Sequence, residues 1–472
     1  MAETGKSFVK KFVGFSLVTW VSFVVNFLVT PFSTRLFAPE VIGKINIFNT
    51  YTNLFALLVL IGLDQAFARF YYERPNNRSI GYLFSFCFGF SYAVLASIFV
   101  LSLPFRALLS WELFGETDNL LLYLFFISLF CYCTLRYLNL SYRMEQDIKM
   151  YTIQNILWLI VTKILYLGVG FWDPSYKPAL IVLTISHFIL VVVYLWIQRH
   201  RFEVIRKLDR TFSKEIMKFA LPLVPFAALT WANTSIPQVV MQKTMDYRSI
   251  GVFTSAITLA NVILVIQAGF NTLWVPFVYD NYKTQAGQFF KVHRYLLCVL
   301  TICALLLVLF QDVVFLLLGE KFREAKMFFP FLLLGPICYT IGETTGVGIE
   351  ISKKSYLNLI VFVSSVLVNL VLCLLLRIPF GISGIAMAFG LAGLTAMSLK
   401  TIFGQRLYRS INSYKYIFFT LFCILVSAIV TLWIGSFLLK ISLLFFLCVI
   451  ALLYYRKEIW ELKNYALSFI HK

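Results

Sequence analysis

Two short polar series sit at helical spacing inside otherwise apolar sequence. Asn46, Thr50 and Asn53 follow one another at i, i+4 and i+7, and so do Thr254, Thr258 and Asn261. That spacing places each set on one face of an α-helix. The sets are 208 residues apart, inside a longer self-similar pair, Arg35–Tyr71 and Lys243–Tyr279. Ile42-Gly43 meets Ile250-Gly251, and Arg35 meets Lys243 without a gap. Amide and hydroxyl groups so placed can hydrogen-bond a polar cargo in a water-filled cavity. They can also hold helices together, at about 0.5–1 kcal/mol each. Arg35 and Lys243 stand at equivalent positions ahead of the two stripes, so a pair of them could clamp an anion, one cation from each repeat; both could instead touch lipid phosphates.

Charged groups within apolar stretches are the second chemical signal. Lys163 lies mid-stretch, where a lone cation costs about 2.5–3.5 kcal/mol to insert. Glu343 stands in G-E-T-T-G-V-G, a glycine-rich patch able to break a helix. The two are expected as a buried charge pair facing across or between halves of the protein, Glu343 as a protonatable coupling site and Lys163 as a cavity cation. Either residue could equally snorkel or pair locally. Asp64 is grouped with Glu343 as an ion-coupling candidate.

The elements that must position these groups follow from hydropathy. The chain of 472 residues is 60% hydrophobic and 13% charged, with a mean hydropathy of +0.83. A bilayer accepts such a composition as a solvent-exposed fold does not. Windows of about 20 apolar residues predict fourteen spans: Phe12–Thr30, Ile45–Leu63, Ile80–Leu103, Leu120–Leu140, Ile153–Phe171, Leu180–Ile197, Leu221–Val240, Ile250–Phe270, Tyr295–Leu318, Phe328–Ile351, Tyr356–Leu376, Ile382–Thr401, Tyr416–Leu439 and Ile441–Tyr454. Backbone polar groups must be satisfied internally in lipid, so the spans are helices. The expected fold is all-α and polytopic, with two pseudosymmetric six-helix lobes and two C-terminal helices. In residues, that is an N-lobe at 1–197, a basic linker at 198–220, a C-lobe at 221–405, the added helices at 416–455 and a tail at 456–472.

The net charge of +19 reads as topology rather than as a nucleic-acid footprint. With the amino terminus inside, the inside connectors hold most of the 41 lysines and arginines, as the positive-inside rule requires. Both termini and the loop Gln198–Ala220 are then cytoplasmic, and the connectors Trp111–Asn119 and Glu320–Lys326 are outside. The first stretch is too long for a cleaved signal and lacks a small-residue cleavage site, so it is expected to be retained. All nine cysteines fall in spans without C-x-x-C spacing, which implies neither disulfides nor metal.

Several segments, in order along the chain, resemble the Wzx-type polysaccharide flippases of the MOP superfamily, which also holds the MATE exporters and lipid II flippases. They are T-R-L-F-A-P-E-V-I-G-K-I-N-I-F (Thr34–Phe48), G-L-D-Q-A-F-A-R-F-Y-Y-E (Gly62–Glu73), L-P-L-V-P (Leu221–Pro225), I-G-V-F-T-S-A (Ile250–Ala256) and W-V-P-F-V-Y-D-N-Y (Trp274–Tyr282). The resemblance implies alternating access and transbilayer movement of a polyprenyl-diphosphate-linked oligosaccharide for cell-surface polysaccharide synthesis, such as O-antigen, lipopolysaccharide or capsule. It implies a bacterial cytoplasmic (inner) membrane protein without cofactor or metal, favoured as a monomer and with a polysaccharide polymerase as a possible partner. A diphosphate needs cations, which Arg35, Arg69, Arg136, Lys163 and Lys243 could supply.

Three rival functions are weighed against this. A lipid-linked-sugar polymerase would carry a large outside loop, and every outside connector is short. An ATP-driven exporter would carry G-x-x-x-x-G-K-[S/T], which the sequence lacks. A MATE-like ion-coupled antiporter remains the alternative; it would draw on Asp64, Glu343 and Glu350.

Overall fold

The structure is a computed structural model describing residues 5–75, 78–205, 208–283 and 286–470, with side chains left aside at 5–19, 286 and 465–470. The described residues form helices and connecting turns, with no strand among them. They divide into two compact units, Met1–Ala232 and Asn233–Lys472.

In the first unit the helices run α1 (Gly5–Leu36), α2 (Pro39–Leu60), α3 (Leu63–Glu73), α4 (Ile80–Ser102), α5 (Arg106–Phe114), α6 (Asn119–Met144), α7 (Ile148–Lys163), α8 (Tyr176–Ile197) and α9 (Arg210–Ala220). The unit boundary falls inside α10 (Leu223–Thr244). The second unit continues with α11 (Tyr247–Ala260), α12 (Ile263–Asn281), α13 (Ala286–Leu309), α14 (Gln311–Leu316), α15 (Phe329–Thr345), α16 (Val347–Ile351), α17 (Tyr356–Leu407), α18 (Lys415–Trp433), α19 (Phe437–Tyr454) and α20 (Arg456–Ile470).

Nine helices among the described residues are long and apolar enough to cross a bilayer, or twelve if each bent pair is one span. Length and apolarity alone therefore do not reach the expected fourteen. The 52-residue α17 counts once in that total, although its backbone turns at Gly381 (φ 55, ψ −130) between the two stretches that hydropathy separates. Large exposed apolar side chains such as Leu438, Ile378 and Phe418 mark the surface that hydrocarbon would cover.

The repeat read from sequence reappears as local structure. Helices α2 and α11 begin 208 residues apart, and each is followed by a bend, 46° into α3 and 41° into α12. The first bend has a clear cause. Ile61 and Gly62 both take the left-handed conformation, and a Cβ on Gly62 would lie 2.5 Å from the Ala220 carbonyl oxygen. Glycine is required there by φ and by space together. The turn sets Asp64 in the first turn of α3, where the helix dipole favours a carboxylate.

Helix starts are fixed by side-chain caps. Ser79 accepts from the Tyr82 N–H at 2.9 Å, Asp147 from Met150 at 3.0 Å, and Asp246 from Ser249 at 2.7 Å. Asp209 caps α9 and also accepts from Arg78, while the Tyr82 hydroxyl accepts from the Asp209 N–H, so the linker's end is fastened to the start of α4. The hydrogen bond from the Phe212 N–H, with those from Arg78 and the Thr211 N–H, holds the Asp209 carboxyl below its usual range.

A charge cluster ties α2, the α5–α6 connector and the start of α8. Glu116 accepts from Lys44 and from the Tyr176 hydroxyl, and Lys177 bonds Asp118 at 2.5 Å. The Lys177 bond holds Asp118 below the ordinary carboxylate range. Burial pushes Glu116 upward, but hydrogen bonds from Lys44 and Tyr176 outweigh it and leave that carboxyl lowered too. Groups depressed on folding stabilise fully above their unfolded values, about pH 4, and that gain is lost as pH falls through their lower folded values. We therefore expect the thermal stability of the wild type over the Glu116→Gln/Asp118→Asn double variant to be constant from neutral pH down to about pH 4–5 and to vanish in stronger acid. A gap that persists unchanged in strong acid would show that these charges are not its source.

Candidate functional site

Each unit contains a largely buried carboxylate, set between packed helices, that a cation holds. In the first, Asp64 is nearly fully buried and accepts from Arg136 Nε at 2.7 Å and Nη2 at 2.5 Å. Gln65 adds an amide contact at 3.0 Å. Arg136 belongs to α6, and its side chain keeps 41% of its exposure while Asp64 keeps 6%. The pair thus presents its cationic end outward and its anion inward.

In the second unit Glu343 is held by Lys400, 2.9 Å away, with side-chain exposures of 13% and 18%. Asn271 donates to the other carboxylate oxygen at 3.3 Å, and the Trp274 indole N–H donates to the Glu343 backbone carbonyl at 3.2 Å. Sequence reasoning set Glu343 against Lys163, and here the structure differs. Lys400 reaches the carboxylate because glycines leave a channel for its stem: a Cβ on Gly346 would lie 2.6 Å from Lys400 Cγ and Cε, and one on Gly342 would lie 3.3 Å from Cδ. Lys163 ends α7 in the other unit and has no carboxylate or hydrogen-bond partner among the described residues.

The same glycines continue as a seam. A Cβ on Gly348 would sit 2.1 Å from the Gly404 carbonyl oxygen, and one on Gly404 would sit 2.4 Å from that of Thr345. One on Gly390 would sit 2.7 Å from the Phe331 carbonyl oxygen. Small residues let α15, α16 and the second half of α17 approach backbone to backbone, as helices associate in lipid. The glycine patch around Glu343 therefore packs a helix pair as well as ending α15 at Thr345. Hydroxyls lock the seam: Thr345 and Thr401 share a bond of 2.7 Å, and Gln405 donates to the Thr345 carbonyl at 2.7 Å.

The duplicated stripes are placed as follows. In α2, Asn46 is half-buried with its amide donating to the Ile42 carbonyl at 2.9 Å, Thr50 is buried, and Asn53 is exposed. In α11, Thr254 is buried and donates to Ile250 at 2.8 Å, and half-buried Thr258 donates to the Thr254 carbonyl at 2.8 Å. Asn261 is half-buried at the bend after α11. Several of these groups thus return a hydrogen bond to their own helix. Arg35 and Lys243 are exposed in the last turns of α1 and α10. Arg69 is exposed and forms an i, i+4 pair with Glu73 at 2.8 Å.

Sequence reasoning missed Lys400, Asn271 and Trp274. Lys400 was legible as a cation inside the apolar stretch Ile382–Thr401, the same signal that drew attention to Lys163. It also missed a second buried polar knot, in which the single Ser365 O–H lies between Asn233 Oδ1 and the Ala392 carbonyl, 3.0 Å from each, and Asn369 donates to the Asn233 carbonyl at 3.1 Å.

Residues 33–327 match the family described as polysaccharide biosynthesis protein. The chain belongs to that family. Among its relatives, a capsular polysaccharide biosynthesis protein, CapF, from Staphylococcus aureus is 21% identical over 279 residues, which is 57% of this chain and 70% of that one. The fold of this family member is similar to that of the lipid II flippase MurJ in an inward closed conformation, with a TM-score of 0.70 and 15% identity over 94% of this chain and 99% of that one. It is also similar to an inward-facing MATE multidrug transporter of the MOP superfamily, with a TM-score of 0.56 and 15% identity over 84% and 97%. The polytopic all-helical fold expected from sequence is thus of the MurJ and MATE type.

Proposed function

We propose that this polysaccharide biosynthesis protein is a flippase that carries a polyprenyl-diphosphate-linked oligosaccharide from the cytoplasmic to the outer leaflet by alternating access. The observation that carries the reading is the likeness to a lipid II flippase over 94% of the chain, joined to the family's role in polysaccharide biosynthesis. The protein works in the bacterial cytoplasmic membrane with both termini cytoplasmic, as the distribution of Lys and Arg favours. Its product passes to a polysaccharide polymerase.

Arg35, Arg69, Lys163 and Lys243 are the cations offered to the diphosphate, because charge-assisted bonds to a phosphate are stronger than neutral ones. The duplicated stripes Asn46, Thr50, Asn53 and Thr254, Thr258, Asn261 line the path, and Glu343 and Asp64 are the ion-coupling candidates. Lys400 and Arg136 pair with those two carboxylates, so a coupling ion there acts by displacing a protein cation. Deleting the gene should abolish surface polysaccharide while lipid-linked oligosaccharide accumulates in the cytoplasmic leaflet, and the plasmid-borne gene should restore export. Normal surface polysaccharide with altered drug sensitivity would favour the antiporter instead.

A further inference from the structure

One wall of the first unit has the chemistry of a sugar site. On α6 the exposed apolar side chains Leu120, Tyr123 and Ile127 mark the lipid-facing side. Tyr132 and Arg136 lie on the other side, roughly 150° around the helix at 3.6 residues per turn. On α7 the exposed Ile153 and Leu157 mark the lipid side, and Asn155 and Trp158 again lie roughly 150° away. Tyr132 and Trp158 bring the two stripes together, their ring centroids 5.5 Å apart at 76°. Tyr132, Trp158, Arg136 and Asn155 are all half-buried, neither packed away nor turned to lipid.

The chemistry at this wall suits a polyol better than a diphosphate. Because Asp64 occupies two nitrogens of the Arg136 guanidinium, the pair has little net charge with which to attract an anion. It still offers fixed donors and acceptors; the Gln65 amide donates to Asp64 and the Asn155 amide to the Tyr151 carbonyl, and each keeps its carbonyl oxygen and a second N–H for a ligand. Asp64 also holds the guanidinium in one orientation, so less freedom is lost when a ligand binds. Aromatic faces beside such groups accept the apolar face of a pyranose ring, and their rigidity keeps the entropy cost low.

We propose that Trp158 and Tyr132, with the Asp64–Arg136 pair, form a saccharide-recognition subsite that selects a pyranose of the lipid-linked oligosaccharide. This rests on the flippase reading and assigns the diphosphate to other cations. The test uses the full-length protein in lipid nanodiscs and two kinds of probe: a polyprenyl diphosphate alone, and the same carrier bearing one glucose, galactose, N-acetylglucosamine or N-acetylgalactosamine. The wild type is expected to bind at least one sugar-bearing carrier about tenfold more tightly than the bare one. That ratio should fall to about one in Trp158→Ala and in Arg136→Lys, and should be largely kept in Trp158→Phe, which retains a ring. Preference for none of the four sugars, or a preference that Trp158→Ala leaves intact, overturns the subsite while leaving the flippase reading standing. Binding of neither the bare nor the sugar-bearing carrier overturns both.

Discussion

Replacing Lys400 with methionine is expected to destabilise the second unit by about 3–5 kcal/mol, the range for removing one partner of a buried ion pair. Glu343 would be left with only the Asn271 amide at 3.3 Å and no cation. For a unit of this size that corresponds to a fall in unfolding temperature of roughly 6–20 °C. The double variant Glu343→Gln/Lys400→Met removes both charges and should recover most of the loss, because a buried pair replaced by neutral groups is often nearly neutral in stability. Thermal unfolding of detergent-purified protein, read by the fluorescence of a thiol- or tryptophan-sensitive probe, separates the two. Equal midpoints for wild type and Lys400→Met would mean that the pair carries no structural load. Glu343→Gln alone bears on coupling: if Glu343 is the coupling site, transport by that variant should no longer depend on pH or on the driving ion.

The second large effect is steric. Gly348→Ala and Gly404→Ala each put a methyl group within 2.1 and 2.4 Å of a backbone carbonyl oxygen, and backbone cannot move aside as a flexible side chain can. Overpacking of this kind costs about 1–3 kcal/mol or more per site. Gly89→Ala in α4 is the control, since a Cβ there meets nothing within 4 Å. It should gain about 0.5–1 kcal/mol from the ordinary preference of a helix interior for alanine. The same thermal assay checks both signs, and a Gly404→Ala protein as stable as wild type would contradict the close approach of α17 to the turn between α15 and α16.

Much of the architecture is legible in the sequence because lipid imposes one strong rule, that an apolar run must be a helix. The spans over Leu120–Leu140 and Tyr416–Leu439 lie largely within α6 and α18 for that reason. Hydropathy cannot see where a helix bends inside an apolar run, so the breaks at Ile61-Gly62 and Asn261-Val262 went unread, although Gly62 was present as a signal. Charge marks the basic linker, but it does not reveal that Asp209 bonds Arg78 and Glu203 bonds Ser79, fastening that linker to the start of α4.

At the candidate site the residue types were legible and the partners were not. Glu343 and Asp64 were legible as carboxylates in or near apolar stretches and Arg136 as a candidate cation, yet pairing depends on which helices pack together, which no local motif records. Arg136 reaches Asp64 across 72 positions, and Lys400 reaches Glu343 across 57. The repeated stripes fall on α2 and, apart from Asn261 just past its end, on α11, and several of their hydroxyl and amide groups bond backward to their own helices, an option that side-chain spacing does not reveal.

The most direct measurement of the central claim is a leaflet-accessibility assay in proteoliposomes. Purified full-length protein is reconstituted with a polyprenyl diphosphate bearing a single galactose, distributed over both leaflets, and a membrane-impermeant galactose-oxidising enzyme is added outside. A flippase should expose nearly all of the lipid-linked sugar to the enzyme, whereas protein-free vesicles stop at the half that already lies in the outer leaflet. If vesicles containing the folded protein also stop at half, for the galactose and N-acetylgalactosamine carriers and with an imposed proton or sodium gradient in either direction, transbilayer movement of such lipid-linked saccharides is not what this protein does.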